Sequence, residues 1–315
     1  MVINPKRRKP ALTIKLLGAG RCLPKTAVPN AEFEKTLDTT DEWIIQRTGI
    51  RERRICKDET LLDLAAGAAR AALDNAGAPP VSAVIAASAS PDYHFPPLAC
   101  RLGNALGFDG PFCLDVGATC SGFIYALDIA AHYVNAGSAD TVLVVAAEKL
   151  SSLTDYTDRA TCVLFGDGAA AAVVTKGDKP YHSVLHCAAD PGDSLFCRVG
   201  GTIRMNGGGV YKFAVTAASK AIGEVLVKAK LDIGDIDWFV LHQANIRILD
   251  GIAGRCGIDP AKVPVTLDKY ANPSSATIPL TLDLMREDGR LRPGQRVLLS
   301  GFGAGLTYGA SIWEV

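Results

Sequence analysis

The chain has 315 residues, enough for one large α/β unit or two fused halves. Its composition is globular, with 48% hydrophobic residues, 31 Gly and 17 Pro, and fits buried strands and tight turns rather than a fibrous or low-complexity chain. Formal net charge is +0, from 33 Lys+Arg against 33 Asp+Glu, which excludes a global field for nucleic acid or an anionic membrane.

Any acidic partner must therefore be held by a local patch. The Cys count of 9 is odd, the residues are scattered, and no CxxC occurs. This pattern predicts reduced, mostly buried thiols in a cytoplasmic protein, with one singled out for chemistry. No His/Cys/Asp cluster has ligand spacing, so no metal is expected. Lys6-Arg7-Arg8-Lys9 is not followed by a hydrophobic segment and reads as a frayed basic tail, not a secretory signal. No apolar run approaches the ~20 residues of a membrane span.

In chain order, Leu61 to Asn75 has an Ala/Leu-rich helical pattern, and Val81 to Ala87 is a short apolar strand. Phe112 to Val116 predicts a strand leading into a helix from about Cys120. Cys162 to Val174 reads as strand, Gly-rich turn, strand. Gly, Asp and Lys then interrupt the apolar pattern near Lys176 to Lys179. The same series follows again: helix over Ala214 to Lys230, strand over Trp238 to Leu241, strand over Val263 to Leu267, helix from about Ser274 to Met285. Val297 to Ile312 closes with strand, Gly-rich turn, strand. The chain thus divides into two similar halves, residues 11–176 and 180–315. Helices alternating with apolar strands imply a mostly parallel α/β sheet covered on both faces.

Three polar residues fall where strands end or helices begin. Cys120, in Ala118-Thr119-Cys120-Ser121-Gly122-Phe123, is expected at a helix N-terminus, where free N–H groups and the helix dipole favour thiolate. Small Ala118 and Gly122 would let a long substrate arm reach the sulfur. His242 ends the strand Trp238 to Leu241, at the strand end where open α/β sheets bind ligands. Asn272 precedes Pro273, which holds it extended, and Ser274 is a candidate helix cap. A lone Cys is usually a buried structural thiol, and Asn-Pro is usually a turn. The combination lifts these residues above those readings: a thiol, an imidazole and a carboxamide can form an acyl thioester and then hold a thioester enolate.

These segments, with Asp41-Glu42-Trp43 through Arg47-Thr48-Gly49, resemble the β-ketoacyl-acyl carrier protein synthase III family from about Leu16 to Trp313. The resemblance implies a thiolase-like five-layer αβαβα fold. It also implies decarboxylative condensation of an acyl-CoA primer with malonyl-acyl carrier protein, initiating fatty acid synthesis. Cys120 would be the nucleophile, with His242 and Asn272 donating to the enolate oxygen. The Ala304 N–H would join that of Cys120 in an oxyanion hole, and Phe302 would shield the thioester. Trp43 and Arg159 would sandwich the adenine of coenzyme A, with Arg47 and Thr48 at its polar groups and Asn245 beside the pantetheine arm; packing of a short helix is the competing role for Trp43. Lys212 and Arg247 would receive the acidic carrier protein. Coenzyme A enters as a thioester substrate, and no cofactor is expected. A homodimer is expected, with Phe95 reaching the partner's acyl pocket.

Two departures from the family pattern stand out. Thr119 occupies a position where the family more often has Ala, and should trim space beside the thiol. The segment between His186 and Val210 is shorter than usual by roughly a dozen residues, which would open the site or alter primer choice. That shortening supports an alternative, a specialised acyltransferase of secondary metabolism using the same Cys-His-Asn set. A catalytically dead partner subunit should lack the Cys, and a biosynthetic thiolase should carry a second Cys near Gly301 to Gly305; neither condition is met.

Overall fold

A computed structural model describes residues 11–190 and 194–315. The basic segment Lys6 to Lys9 lies outside them. The main elements are β1 (Leu12–Cys22), α1 (Asp41–Thr48), α2 (Leu61–Asn75), β2 (Ala83–Ala87), α3 (Leu98–Leu106), β3 (Phe112–Val116), α4 (Gly122–Ala136) and β4 (Thr141–Lys149). They continue as β5 (Asp167–Cys187), α5 (Gly207–Ala229), β6 (Trp238–Leu241), α6 (Ile246–Cys256), α7 (Thr277–Glu287), β7 (Arg296–Gly303) and β8 (Thr307–Glu314).

The strands run in the order β6-β7-β8-β5-β4-β2-β3, with β1 on the other side of β5. The first half of β5 pairs with β4 and β1, and its last residues, His182 to Cys187, pair with β8. Lys176 to Lys179 therefore lies inside one strand, where pairing passes from one half of the molecule to the other. The polar residues there are exposed, which is why they read as a break.

The layers follow from where the apolar faces are buried. Helices α2 and α3 cover one face of the first half-sheet, through Leu64, Ala68, Leu102 and the outward residues of β2 and β4. Helices α5 and α6 cover the far face of the second, through Ala218, Ile222, Leu249 and Phe239. Between the half-sheets lie α4 and α7, packed on both sides by Phe123, Leu127, Ile278, Leu282, Val144 and Leu299. A buried helix needs apolar residues, and α4 has them through its first turns, Gly122 to Leu127, with Asp128, His132 and Asn135 further along. The result is the expected α/β fold with five layers, but the sheet is mixed rather than mostly parallel. Strand β2 pairs in parallel with β3 and β4, and β6 with β7. In contrast, β5 runs antiparallel to β1, β4 and β8, and β8 to β7, because hairpin-like connections close each half.

Two predicted strands are absent, for local reasons. At Cys162 to Phe165 the Asp158 carboxylate accepts from Ala160 N at 3.0 Å and Thr161 Oγ1 at 2.9 Å. That cap starts a helical turn over Arg159–Cys162 instead. At Val263 to Leu267, Pro264 has no N–H to give a sheet. The Gln243 side chain acts as the neighbouring strand, donating to Pro264 O at 3.2 Å and accepting from Thr266 N at 3.0 Å.

Candidate active site

Cys120 sits in a 3₁₀ turn, Thr119–Ser121, that runs straight into α4. The turn is pinned to the far end of the chain. Thr119 Oγ1 donates to Ala304 O at 3.1 Å, and the Ser121 and Thr307 hydroxyls lie 2.7 Å apart. Thr119 thus ties the nucleophile's turn to the β7–β8 turn, beyond trimming space. A Cβ on Gly303 would lie 2.2 Å from Thr119 Oγ1 and 2.8 Å from Cys120 N, so only Gly allows this approach. Gly122 has a different role from the one its size suggested. Its missing Cβ would meet Ala87 Cβ at 2.9 Å, so it serves the packing of α4 on β2 rather than substrate access.

Asn272 lies in a one-residue bridge with Phe165. Its N–H donates to Leu164 O at 3.1 Å, and its carbonyl accepts from Gly166 N at 3.2 Å. Its side-chain Oδ1 accepts from Ser274 N at 2.9 Å. With the oxygen occupied, the Nδ2 donors are the part of the carboxamide left for a ligand. Asn272 therefore caps Ser274, the reverse of the expected arrangement. Thr119, Ala271 and Ser274 all have positive φ, at 45°, 52° and 43°. Backbone of this kind in non-Gly residues costs free energy and collects at functional sites. Here it flanks the thiol and the carboxamide.

His242 is held by its N–H to Ser300 O at 2.9 Å and by Nδ1 against Thr277 Oγ1 at 2.7 Å. Phe302 stands edge-on to it, ring centroids 5.0 Å apart. Burial lowers the imidazole pKa to about 3, so it is neutral at physiological pH. Thr277 can donate to Nδ1, leaving Nε2–H as a donor, or donate to Ser274 O at 3.1 Å and accept from Nδ1–H, leaving Nε2 as a base.

Burial also pushes the Cys120 thiol up to about 12, and the Glu148 charge adds to this; the Ser274 hydroxyl and the Cys120 backbone N–H oppose it. The helix start is therefore not sufficient to make thiolate in the free protein. The proton must be taken, and His242 Nε2 faces the same passage.

Cys120 lies at a junction. A narrow passage of about 90 Å³ is lined by Cys120, His242, Asn272, Phe302, Asn245 and Tyr211 among others. A second, wider and more open cavity of about 540 Å³ also borders Cys120, lined by Ser88, Ala89, Leu150, Phe196, Ile203, Ser274 and Ala304. Asn245 caps α6, accepting from Arg247 N at 2.9 Å, and Gly207 lines the passage at the start of α5.

The outer residues are exposed. The Arg159 guanidinium lies 4.8 Å from the Trp43 ring centre and that of Arg47 5.8 Å from it, so the two cations flank the indole with no gap held open. Thr48 is not with them. It is buried, donates to Ile44 O at 2.6 Å and accepts from Ile50 N at 3.0 Å, which ends α1. Lys212 is exposed on the second turn of α5 and Arg247 on the first turn of α6, and the Arg247 guanidinium lies 5.8 Å from the Tyr211 ring centre at the passage mouth. Between His186 and Val210 a short hairpin, Leu195–Phe196 with Arg204–Met205, roofs the chamber.

The sequence alone assigned no role to Thr277 or Glu148 and marked Ser274 only as a helix cap. A charged residue closing the apolar strand Thr141 to Ala147 was the available signal for Glu148.

The protein-family description "3-Oxoacyl-[acyl-carrier-protein (ACP)] synthase III" matches residues 114–190, and its C-terminal counterpart matches residues 226–315. Beta-ketoacyl-[acyl-carrier-protein] synthase III of Ehrlichia canis is 42% identical, over 95% of this chain and 98% of its own. The crystal structure of 3-oxoacyl-[acyl-carrier-protein] synthase III from Aquifex aeolicus VF5 superposes with a TM-score of 0.94 at 40% identity, covering 96% of this chain and 100% of that one. The priming beta-ketosynthase from the R1128 polyketide pathway gives 0.92 at 36% identity, covering 98% and 99%. Matches of this extent, together with the Cys-His-Asn geometry, place the chain in the β-ketoacyl-[acyl-carrier-protein] synthase III family.

Proposed function

We propose that this chain transfers an acyl group from an acyl-CoA to Cys120 and condenses it with malonyl-acyl carrier protein, giving a 3-oxoacyl-acyl carrier protein and carbon dioxide. The observation that carries this reading is the junction at Cys120. Two cavities meet at the sulfur, and on this reading the narrower one takes the thin substrate arm and the wider one the acyl group left on Cys120.

In the first step the thiol proton passes to His242 Nε2, with Thr277 accepting from Nδ1–H. The sulfur attacks the thioester carbonyl, whose oxygen is met by the N–H groups of Cys120 and Ala304. Coenzyme A leaves as its thiol, taking the proton from His242. Between the steps the imidazole gives up its Nδ1 proton and takes one at Nε2 by exchange with solvent, and the Thr277 hydroxyl turns to donate to Nδ1. In the second step malonyl thioester loses carbon dioxide. The electron pair of the broken C–C bond forms an enolate, whose oxygen accepts from His242 Nε2–H and Asn272 Nδ2. The enolate carbon then attacks the acyl thioester, and Cys120 leaves as thiolate and is reprotonated from solvent. A donor of this kind is worth ~10²–10³ in rate. Phe302 keeps water from the enolate by closing one wall of the passage.

Trp43, Arg47 and Arg159 would hold the adenine end of coenzyme A, the base entering between indole and guanidinium. Asn245 borders the pantetheine arm. Lys212 and Arg247 would receive the carrier protein. Two copies would associate along β3, an edge strand, beside Phe95, which is 82% exposed. Among the described residues no helix is long and apolar enough to cross a membrane.

The likeness to a polyketide priming enzyme supports a second reading, the same chemistry on a primer of secondary metabolism. Incubating the protein with a panel of acyl-CoAs and malonyl-carrier protein tests both. Turnover of acetyl or short branched primers supports initiation of fatty acid synthesis. Turnover confined to other acyl groups favours the second reading, and no condensation product with any primer would overturn both.

A further inference from the structure

The steps above give Glu148 nothing to do, yet it is fully buried beside them. Its Oε2 accepts from Ala89 N at 2.9 Å and Ser90 Oγ at 2.8 Å. Its Oε1 accepts from Ser275 Oγ at 2.6 Å and Ser275 N at 3.3 Å. Among the described residues no cation pairs with it; the neighbouring Lys149 turns away to Glu59 O at 2.9 Å. Burial raises the Glu148 pKa, and the hydrogen bonds from Ser275, Ser90 and Ala89 oppose the rise by favouring the ionised form. A buried carboxyl without a cation is costly unless those bonds matter.

Those bonds join two pieces of the site. Ser88 and Ala89 form part of the chamber wall, and Ser275 follows the Asn272 turn. Ser275 fixes Ser274, whose φ of +43° needs support. Ser274 N–H holds the Asn272 side chain, and Ser274 O accepts from the Thr277 hydroxyl that also meets His242. The Ser274–Ala276 turn packs against both the end of β4 that carries Glu148 and the Thr119–Ser121 turn that carries Cys120, and Ser274 lines the same cavity as Cys120. One carboxyl thus stands behind both enolate donors and the nucleophile.

We propose that Glu148 is a positioning residue of the condensation, aiming Asn272 and His242 through Ser274 and Ser275, and that its charge governs the ease with which Cys120 loses its proton. The first part rests on the functional reading above; the second does not. The titratable groups facing Cys120 are Glu148, behind Ser274, and His242, across the passage.

The test uses Glu148→Gln and Glu148→Asp in the full chain, with two measurements. The first is malonyl-carrier protein decarboxylation. Glu148→Gln keeps the shape but sets an NH₂ group against donors. Its kcat should fall about tenfold or more with KM nearly unchanged, because aim rather than binding is lost. The second is the pH profile of Cys120 alkylation by iodoacetamide. Removing a facing negative charge should move the rise to lower pH in Glu148→Gln, while Glu148→Asp should stay near the unmodified protein. Glu148→Asp should still lose decarboxylation rate, since its shorter arm cannot span both segments. An unmoved alkylation profile with unchanged kcat in Glu148→Gln would overturn the proposal. If the unmodified protein alkylates at Cys120 but never decarboxylates malonyl thioester, the condensation reading fails, and the alkylation profiles still decide whether the Glu148 charge acts on the thiol.

Discussion

The centre of the site and its mouth are built by different means. At the centre, Cys120, His242 and Asn272 are each fixed by backbone: a 3₁₀ turn tied to the β7–β8 turn, a strand end, and a one-residue bridge. At the mouth, Trp43, Arg159, Lys212 and Arg247 lie on short helices or near helix starts, the cations exposed. Reaction geometry tolerates little displacement, whereas a long substrate can be held by several adjustable contacts. Substitutions at the centre should therefore change kcat, and those at the mouth KM and its dependence on salt.

The largest effect should come from Cys120→Ala. It leaves a passage with no acceptor for the acyl group, and intact mass after incubation with acetyl-CoA should show no adduct. The other eight cysteines are not placed against both donors. An adduct on this variant would move the nucleophile elsewhere.

His242→Ala and Asn272→Ala come next, each lowering malonyl decarboxylation by ~10²–10³. Asn272→Ala should spare self-acylation, because its carboxamide serves only the enolate; His242→Ala should slow both, because its Nε2 also takes the thiol proton. Equal loss in both steps for Asn272→Ala would break that division. Since His242 stays neutral down to about pH 3, decarboxylation should show no inflection near pH 6.5.

Thr277→Val keeps the shape but leaves Nδ1 without a partner. Decarboxylation should fall about tenfold, the typical cost of an unsatisfied buried group, measured as kcat at saturating malonyl thioester. An unaltered kcat would mean the imidazole needs no help in setting its proton.

The smallest effect belongs to the mouth. Reversing Lys212 and Arg247 to Glu should raise KM for malonyl-carrier protein and flatten its salt dependence, since the Debye length falls from ~10 Å at 0.1 M to ~3 Å at 1 M. Self-acylation by acetyl-CoA should be nearly unchanged. Intact carrier-protein kinetics would put the docking surface elsewhere.

The same division describes what could be read from the sequence. Cys120, His242 and Asn272 announced themselves because each interrupts a regular apolar pattern at an element's end. Leu61 to Asn75 and Trp238 to Leu241 form as their periodicity predicts. Val263 to Leu267 misled because its apolar run looks like a strand, while a side chain 20-odd residues away, Gln243, satisfies its backbone instead. Thr48 misled for the opposite reason: its hydroxyl is consumed within its own helix end. Glu148 and Thr277 were invisible because their roles are bonds across the fold, to Ser275 127 positions away and to His242 35 positions away. Local spacing carries no trace of such partners.

The central claim is that the acyl group on Cys120 is an intermediate on the way to product. Loading the protein with radiolabelled acetyl-CoA, removing free substrate and then adding malonyl-carrier protein tests it directly. The label should leave Cys120 and appear in 3-oxoacyl-carrier protein, with one carbon dioxide released for each acetyl group discharged. Label that stays on the protein while carbon dioxide is released, or that appears as free acetate, would contradict the account.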